Sequence, residues 1–356
     1  MRVLLLAAGF AAQYRVLRCT AALGADICVA GAGAARSLAL SRFCRRFRSF
    51  SFEDVDAAEA ARRLDAEARR WQADIVLPAD FTTTKFLAQV KPHLTTALFP
   101  LPDYSAVESL GSKDRFMEVC RQLDIPHPEG IVVADGAALL EAVAEGRIGL
   151  PAILKPLALA GGMGVTRIDT ENALEVAGAV DYAPILVQRF VEGIDRCITI
   201  FCSDGKVLKQ AIYEHPRGAF RFLEDDALSR LAARFASAMK LNGVINFDAR
   251  IDGQGRVWII ECNPRFYFNM DVAMVAGLNF ADWRTQAASV QAKEVRIPNA
   301  LLSGLLRLRL PSRSDLKMLW HWLKDPVMFG LVAAGYQQRW QFPFFEKMAT
   351  SHKCAV

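Results

Sequence analysis

The chain has 356 residues, 53% hydrophobic and 23% charged, enough apolar material for two or three packed cores and too much for a disordered protein. Its formal charge of +5 is small and scattered, with no arginine-rich arm, which speaks against a nucleic-acid partner. Eight cysteines form no C-x-x-C pair and assemble no zinc set with the five histidines, so they read as buried apolar groups in a reducing, cytoplasmic setting.

The opening run, a basic residue followed by Val3 to Leu6, reads as a buried strand and not as a signal peptide, because Arg15 and Arg18 follow in a helical segment. No uninterrupted apolar run reaches the roughly 18 residues of a spanning helix. Strands are expected at 2–7, 26–30 and 74–78, with amphipathic helices at 12–23, 54–72 and 82–92. That alternation predicts parallel strands covered on both faces. Ser112 is placed to cap a helix over 113–123, stopped before Pro126. A strand (130–133), a helix (137–145) and a strand (152–155) follow, and a glycine turn leads to a strand at 165–168. From 185 to 261 the texture is α+β: strands at 185–190, 196–201, 207–213, 244–251 and 257–261, interrupted by one helix at 226–240. After 296 the chain turns apolar, aromatic and basic. A helix packed on the body is the expected reading, with weak membrane-surface contact as the alternative.

Three segments carry chemistry. Lys155 ends a strand and is followed by Gly161, Gly162 and Gly164, whose backbone amides can approach an anion closely. The loop lacks the G-K-[ST] of a Walker A motif, and no helix follows it as a dinucleotide fingerprint requires. The strand from 257 runs into Glu261, Cys262, Asn263, Pro264, Arg265; alternation turns Glu261 and Asn263 to one side, a hard-oxygen pair suited to magnesium. Counting back across the Asp252–Gly255 turn sets Asp248 near Glu261, with Arg250 on the same face. A ladder of paired surface charges is the competing explanation. The third segment, Gln188, Arg189, Phe190, Val191 and on to Gly193 and Asp195, is a strand ending in a glycine turn that can serve as a hinge.

In this order the segments resemble the ATP-grasp superfamily, which includes biotin carboxylase, D-alanine–D-alanine ligase and the large subunit of carbamoyl phosphate synthetase. The resemblance implies an α/β plus α+β architecture: an N-terminal Rossmann-like pre-ATP-grasp domain (1–111), a glycine-loop lid subdomain (112–190), a metal-binding sheet subdomain (191–295) and an apolar basic extension (296–356). It further implies ATP and Mg²⁺ (or Mn²⁺) as cofactors. Lys113 and Lys155 would hold phosphates, and Gly161, Gly162 and Gly164 would close over them. Gln188 and the backbone of Arg189, Phe190 and Val191 would meet the adenine, and Asp195 the ribose. Asp248, Glu261 and Asn263 would ligate metal, while Arg265, with Lys155 and Arg250, would stabilise the transferring phosphoryl group. The implied activity is a carboxylate–amine or carboxylate–thiol ligase acting on small molecules. Carbamoyl-phosphate-synthetase-like work on bicarbonate and a non-catalytic nucleotide-binding module are the alternatives.

This chain departs from the family where small residues often follow Asn-Pro-Arg: it has Phe266, Tyr267 and Phe268, which either line a narrow pocket or fill a core. Segment 213–221 offers cations and His215, a candidate base, or is a polar loop. Asp80 ends a strand where open sheets bind ligands, or caps the next helix.

Overall fold

The computed structural model describes residues 1–52, 56–157, 162–267, 269–285, 290–297, 301, 308 and 310–333. Strands β1 (Arg2–Ala7), β2 (Asp26–Gly31), β3 (Cys44–Ser49) and β4 (Ile75–Pro78) form a parallel sheet in the order β3-β2-β1-β4. β1, β2 and β4 are almost wholly buried, as expected for apolar runs covered on both faces by α1 (Ala11–Ala21), α2 (Ala57–Trp71) and α3 (Phe81–Val90). β3 escapes a sequence reading because it carries three arginines and no buried position; it is an edge, where charge is tolerated and blocks further pairing.

Helices α4 (Tyr104–Gly111) and α5 (Lys113–Gln122) meet at Ser112. Ser112 makes no side-chain cap; its hydroxyl donates to the Asp114 carboxylate instead. Both helices share a core with the large C-terminal sheet, where Leu110, Phe116 and Cys120 pack with Phe235 and Phe247. Phe116, Cys120 and Ile125 thus belong to that sheet's core.

A second, four-stranded sheet, where the resemblance placed a lid, joins β5 (Gly130–Val133), β6 (Ala152–Pro156), β7 (Thr166–Ile168) and β8 (Ile185–Arg189) in the order β5-β8-β6-β7. Its outer face packs on α6 (Gly136–Ala144) and α7 (Ala173–Ala179) around Leu139, Leu154 and Val187, a core separate from the rest. The inner face carries Lys155 and Gln188.

The largest sheet joins β9 (Ile194–Ser203), β10 (Lys206–Glu214), β11 (Ala219–Leu223), β12 (Gly243–Ile251), β13 (Val257–Asn263) and β14 (Glu294–Arg296) in the order β13-β12-β9-β10-β11-β14. Helix α8 (Asp226–Ala238) covers one face. The other face shares a core with the N-terminal domain through Phe99, Phe201, Tyr213 and Phe266. The segment 213–221, read as a possible polar loop, begins in β10 and ends in β11, and β11 pairs with β14, where Arg221 and Glu294 form an ion pair of 3.8 Å.

Beyond α9 (Met270–Val275), helix Arg313–Leu323 packs on the body, as the apolar tail predicts, through Met318 and Trp322. An ionic cluster lies beneath it. The fully buried Asp271 accepts from Arg15 at 2.8 Å and from Arg18, and the Arg18 guanidinium lies 3.9 Å from the Trp322 ring centre. Among the described residues no helix is long and apolar enough to cross a membrane.

Candidate functional site

Lid and large sheet face each other across a cleft, and the residues with chemical potential come from strand ends on both sides. In the β12–β13 ladder Asp248 stands directly opposite Glu261, and Asn246 opposite Asn263. Cys262 and Phe247 turn to the other face and are buried against α5 and α8. A bulge after Asp248 skips Ile260, so Arg250 pairs with Trp258 while Asp248 and Arg250 stay on the cleft face. Neither carboxylate meets an ion-pair distance to a cation, which sets this pair apart from an ordinary surface ladder among the described residues.

Lys155 projects from β6 toward this pair. It is 7% exposed and donates from Nζ to Gln188 Oε1 at 2.8 Å, while Gln188 Nε2 donates to the Pro128 carbonyl at 3.1 Å. Burial lowers its pKa to about 8; Glu261 and Asp248 pull it back up, and Lys113 and Arg250 oppose them. Glu261 moves the other way: burial and Asp248 raise it, and Lys113, Lys155 and Arg265 hold it down. Burial also lowers Arg265, against the fields of Glu261 and Asp248. Six side chains from four segments thus sense one another. A cavity of about 120 Å³ opens among Lys113, Leu157, Glu261, Asn263 and Arg265.

Asn263 differs from its expected orientation. Its oxygen accepts from Arg265 Nη2 at 2.9 Å and its amide donates to Asp248 Oδ2 at 3.3 Å, so it turns a donor toward the carboxylates. Arg265 is further fixed by a 3.0 Å bond to the Phe266 carbonyl. Among the described residues no group of three or more His, Cys, Asp or Glu side chains is arranged to hold a metal. Two opposed carboxylates nevertheless fit a hard divalent cation, since they supply charge and oxygen while phosphate or water completes the shell.

The hinge follows β8. Arg189 and Phe190 have their N–H groups occupied by the Glu129 and Pro151 carbonyls, at 2.8 and 3.1 Å. Arg250, expected among the catalytic cations, is drawn to this hinge: it donates to Asp195 at 2.8 Å and to the Val191 carbonyl at 2.9 Å, and lies over the Phe190 ring. Asp195, the second residue of β9, is exposed. Gly193 sits at φ +154°, and a Cβ there would lie 2.1 Å from the Ile251 carbonyl, so the hinge closes on β12 only with glycine. Beside it a cavity of about 570 Å³ is lined by Arg167, Arg189, Phe190, Val191 and Trp258. Of the loop glycines, Gly162 and Gly164 have positive φ, and Gly161 lies outside the described residues.

Other candidates resolve differently. Asp80 is a cap: its carboxylate accepts from Thr83 N, and from Ala8 N and Gln13 Nε2, clasping the β1–α1 turn. Phe266 and Tyr267 are core residues, packed on Phe99 and stacked on Tyr213 respectively; Phe268 lies outside the described residues. His215 is exposed and stacks on Phe220.

The whole arrangement has counterparts in known proteins. The model for the family described as "ATP-grasp in the biosynthetic pathway with Ter operon" matches residues 181–302. An ADP complex of N5-carboxyaminoimidazole ribonucleotide synthetase superposes with a TM-score of 0.64 at 16% identity, covering 86% of this chain and 84% of that one. The chain has the ATP-grasp fold. The biotin carboxylase domain of Hydrogenobacter thermophilus 2-oxoglutarate carboxylase, solved with MgADP and bicarbonate, superposes with a TM-score of 0.59 at 18% identity, over 82% of this chain and 72% of that one. In sequence, 180 residues are 28% identical to the arginine-specific carbamoyl phosphate synthase large chain of Geobacillus stearothermophilus, 46% of this chain but 17% of that protein. The chain thus aligns with well under two thirds of that relative's length.

Sequence reasoning missed the polar residues behind the carboxylate pair. Asp248 Oδ1 accepts from Asn246 Nδ2 at 3.2 Å and from the Cys197 thiol at 3.1 Å. Asn246 Oδ1 in turn accepts from Thr199 (2.7 Å) and Tyr213 (3.1 Å). The available signal was period two: Asn246 precedes Asp248 by two positions, and Cys197 and Thr199 alternate on the strand beside them.

Proposed function

We propose that this ATP-grasp chain is a ligase that phosphorylates a carboxylate with ATP and passes the acyl phosphate to an amine, thiol or other nucleophile. One observation carries the reading: Lys113, Lys155 and Arg265 surround an Asp248–Glu261 pair that has no ion-pair partner of its own among the described residues. Such a mixture of fixed cations and opposed carboxylates suits a polyphosphate carrying a divalent ion.

In this reading the base lies against the hinge at the Val191 amide, since the amides of Arg189 and Phe190 are engaged, and Asp195 meets the ribose. Lys113 and Lys155 hold the phosphates beneath Gly162 and Gly164. Asp248 and Glu261 would hold Mg²⁺ or Mn²⁺, which would supply charge neutralisation on the phosphoryl oxygens, while Asn263, expected as a third ligand, instead ties Arg265 to Asp248. A substrate carboxylate oxygen bonds the γ-phosphorus as the bond to the bridging oxygen breaks and ADP departs. The nucleophile then adds to the acyl carbon and phosphate leaves. Arg265, held by Asn263 and the Phe266 carbonyl, meets the charge of both steps.

A second reading takes bicarbonate as the carboxylate. The space near Arg265, about 120 Å³ and walled on one side by Pro264, would admit so small an acid.

ADP release measured against a panel of organic acids, amino acids and bicarbonate, each with and without amines, tests the proposal. We expect acid-dependent turnover that Glu261→Gln abolishes while the fold and melting temperature persist. Turnover in that variant equal to the parent's would remove Glu261 from the chemistry, and silence across the panel with intact nucleotide binding would favour a binding module.

A further inference from the structure

Helix Arg313–Leu323 packs one face on the body and leaves another with nothing on it among the described residues. The buried face holds Met318, His321 and Trp322. On the outer face Leu316, Trp320 and Leu323 are 52%, 64% and 44% exposed, spaced four and three residues apart, which places them on one line along the helix. Arg313, Lys317 and Lys324 are also exposed and, at about 100° per residue, form a second line beside the first. Leu310 before the helix and Val327 after it are also exposed, at 85% and 57%.

The acids of this segment are sorted inward. Asp315 is buried as the reciprocal cap of Ser312 and the partner of Arg296 at 2.7 Å. Asp325 is buried beneath the helix end, accepting from Tyr14, Ser41 and the Arg42 amide. The charge left on the outside of 310–327 is therefore entirely basic. A water-facing helix has no need of an indole and two leucines outward, and a protein–protein face usually carries charges of both signs. An apolar line with a tryptophan, edged by cations alone, matches the interface of a negatively charged bilayer, where an indole sits among headgroups and lysines meet lipid phosphate.

We propose that this face docks the chain on an anionic membrane surface, with Leu316, Trp320 and Leu323 entering the headgroup layer and Arg313, Lys317 and Lys324 against its phosphates. The surface is built apart from the nucleotide cleft and stands whether or not the ligase reading does.

Flotation of the full chain with vesicles tests it. We expect the protein to rise with vesicles of phosphatidylglycerol and phosphatidylcholine and to stay behind with phosphatidylcholine alone. The variant L316S/W320S/L323S and the variant K317E/K324E should each lose about tenfold of the bound fraction, with unchanged melting temperature and nucleotide affinity. Equal flotation by the parent and both variants would overturn the proposal, as would no flotation of the parent. If the serine variant instead converts a dimer to a monomer without altering flotation, the face belongs to a second copy. If deleting 334–356 raises lipid binding only in the parent, that segment covers the face, and the proposal fails for the intact chain.

Discussion

Asp248 receives more hydrogen bonds than any other carboxylate on the cleft face, and none of its donors is charged. Asn246, Cys197 and Asn263 fix the rotamer of both oxygens without neutralising them, so the charge stays available to a cation. Partners of this kind are worth roughly 10–100-fold in metal affinity. Asn246→Ala should therefore weaken Mn²⁺ binding, followed by its paramagnetic signal in the presence of ADP, by about that factor. Binding equal to the parent's would show that the Tyr213–Asn246–Thr199 group serves packing alone. Lys155 makes a separate case. Its buried ammonium has one neutral partner, Gln188, and so has capacity for an anion. Lys155→Ala should cost tenfold or more in ADP affinity by calorimetry, and an unchanged affinity would place the phosphates elsewhere. Glu261, Asn263 and Lys155 were legible because their spacing follows from strand alternation. The bonds among them were not, because a side chain's rotamer depends on what lies on the neighbouring strand.

At the scale of elements, the hinge connects two sheets with different cores, and its geometry rests on close approach. Gly193 and the Ile251 carbonyl nearly touch, which brings Asp195 and Arg250 side by side. Gly193→Ala must move backbone and adopt a φ that side chains avoid, at a cost on the order of 1–3 kcal/mol. Gly149, with nothing within 4 Å of an added Cβ, is the control. The melting temperature should fall for Gly193→Ala and stay near the parent's for Gly149→Ala; equal values would show that the hinge adapts freely. Apolar runs and glycine turns revealed the long strands. They did not reveal β3, whose arginines suit an edge, or β11 and β14, which are short and obtain their pairing from chain segments some 70 residues apart.

For the whole molecule, the C-terminal extension is tied to the N-terminal domain through charge buried under Trp322. Asp271 holds two arginines, and Asp271→Ala would leave both without it in a dry site, a loss of about 3–5 kcal/mol. Chemical denaturation should show that loss; a change under 1 kcal/mol would mean that the cluster is solvated. His321 sits beside it. Burial and the Arg18 charge lower its pKa from 6.5 to about 3. Between those values the unfolded chain binds more protons than the folded one, so the histidine makes stability fall as pH drops from 6.5 toward 3 and contributes nothing above that range. His321→Phe should flatten the decline between pH 6 and 4, and parallel curves for parent and variant would exclude this origin.

Local patterning by itself determined the alternating first third, the hairpin that opposes Asp248 and Glu261, the lysine before the glycine loop, and the family these resemble. Those features follow from periodicity and turn chemistry, which act over a few residues. Tertiary structure alone decided that α5 joins the large sheet, that Arg250 serves the hinge, that Phe266 and Tyr267 fill a core, and that the tail's acids face inward while its bases face out. Each of these depends on which of two available faces finds a partner, and the partner comes from a distant part of the chain.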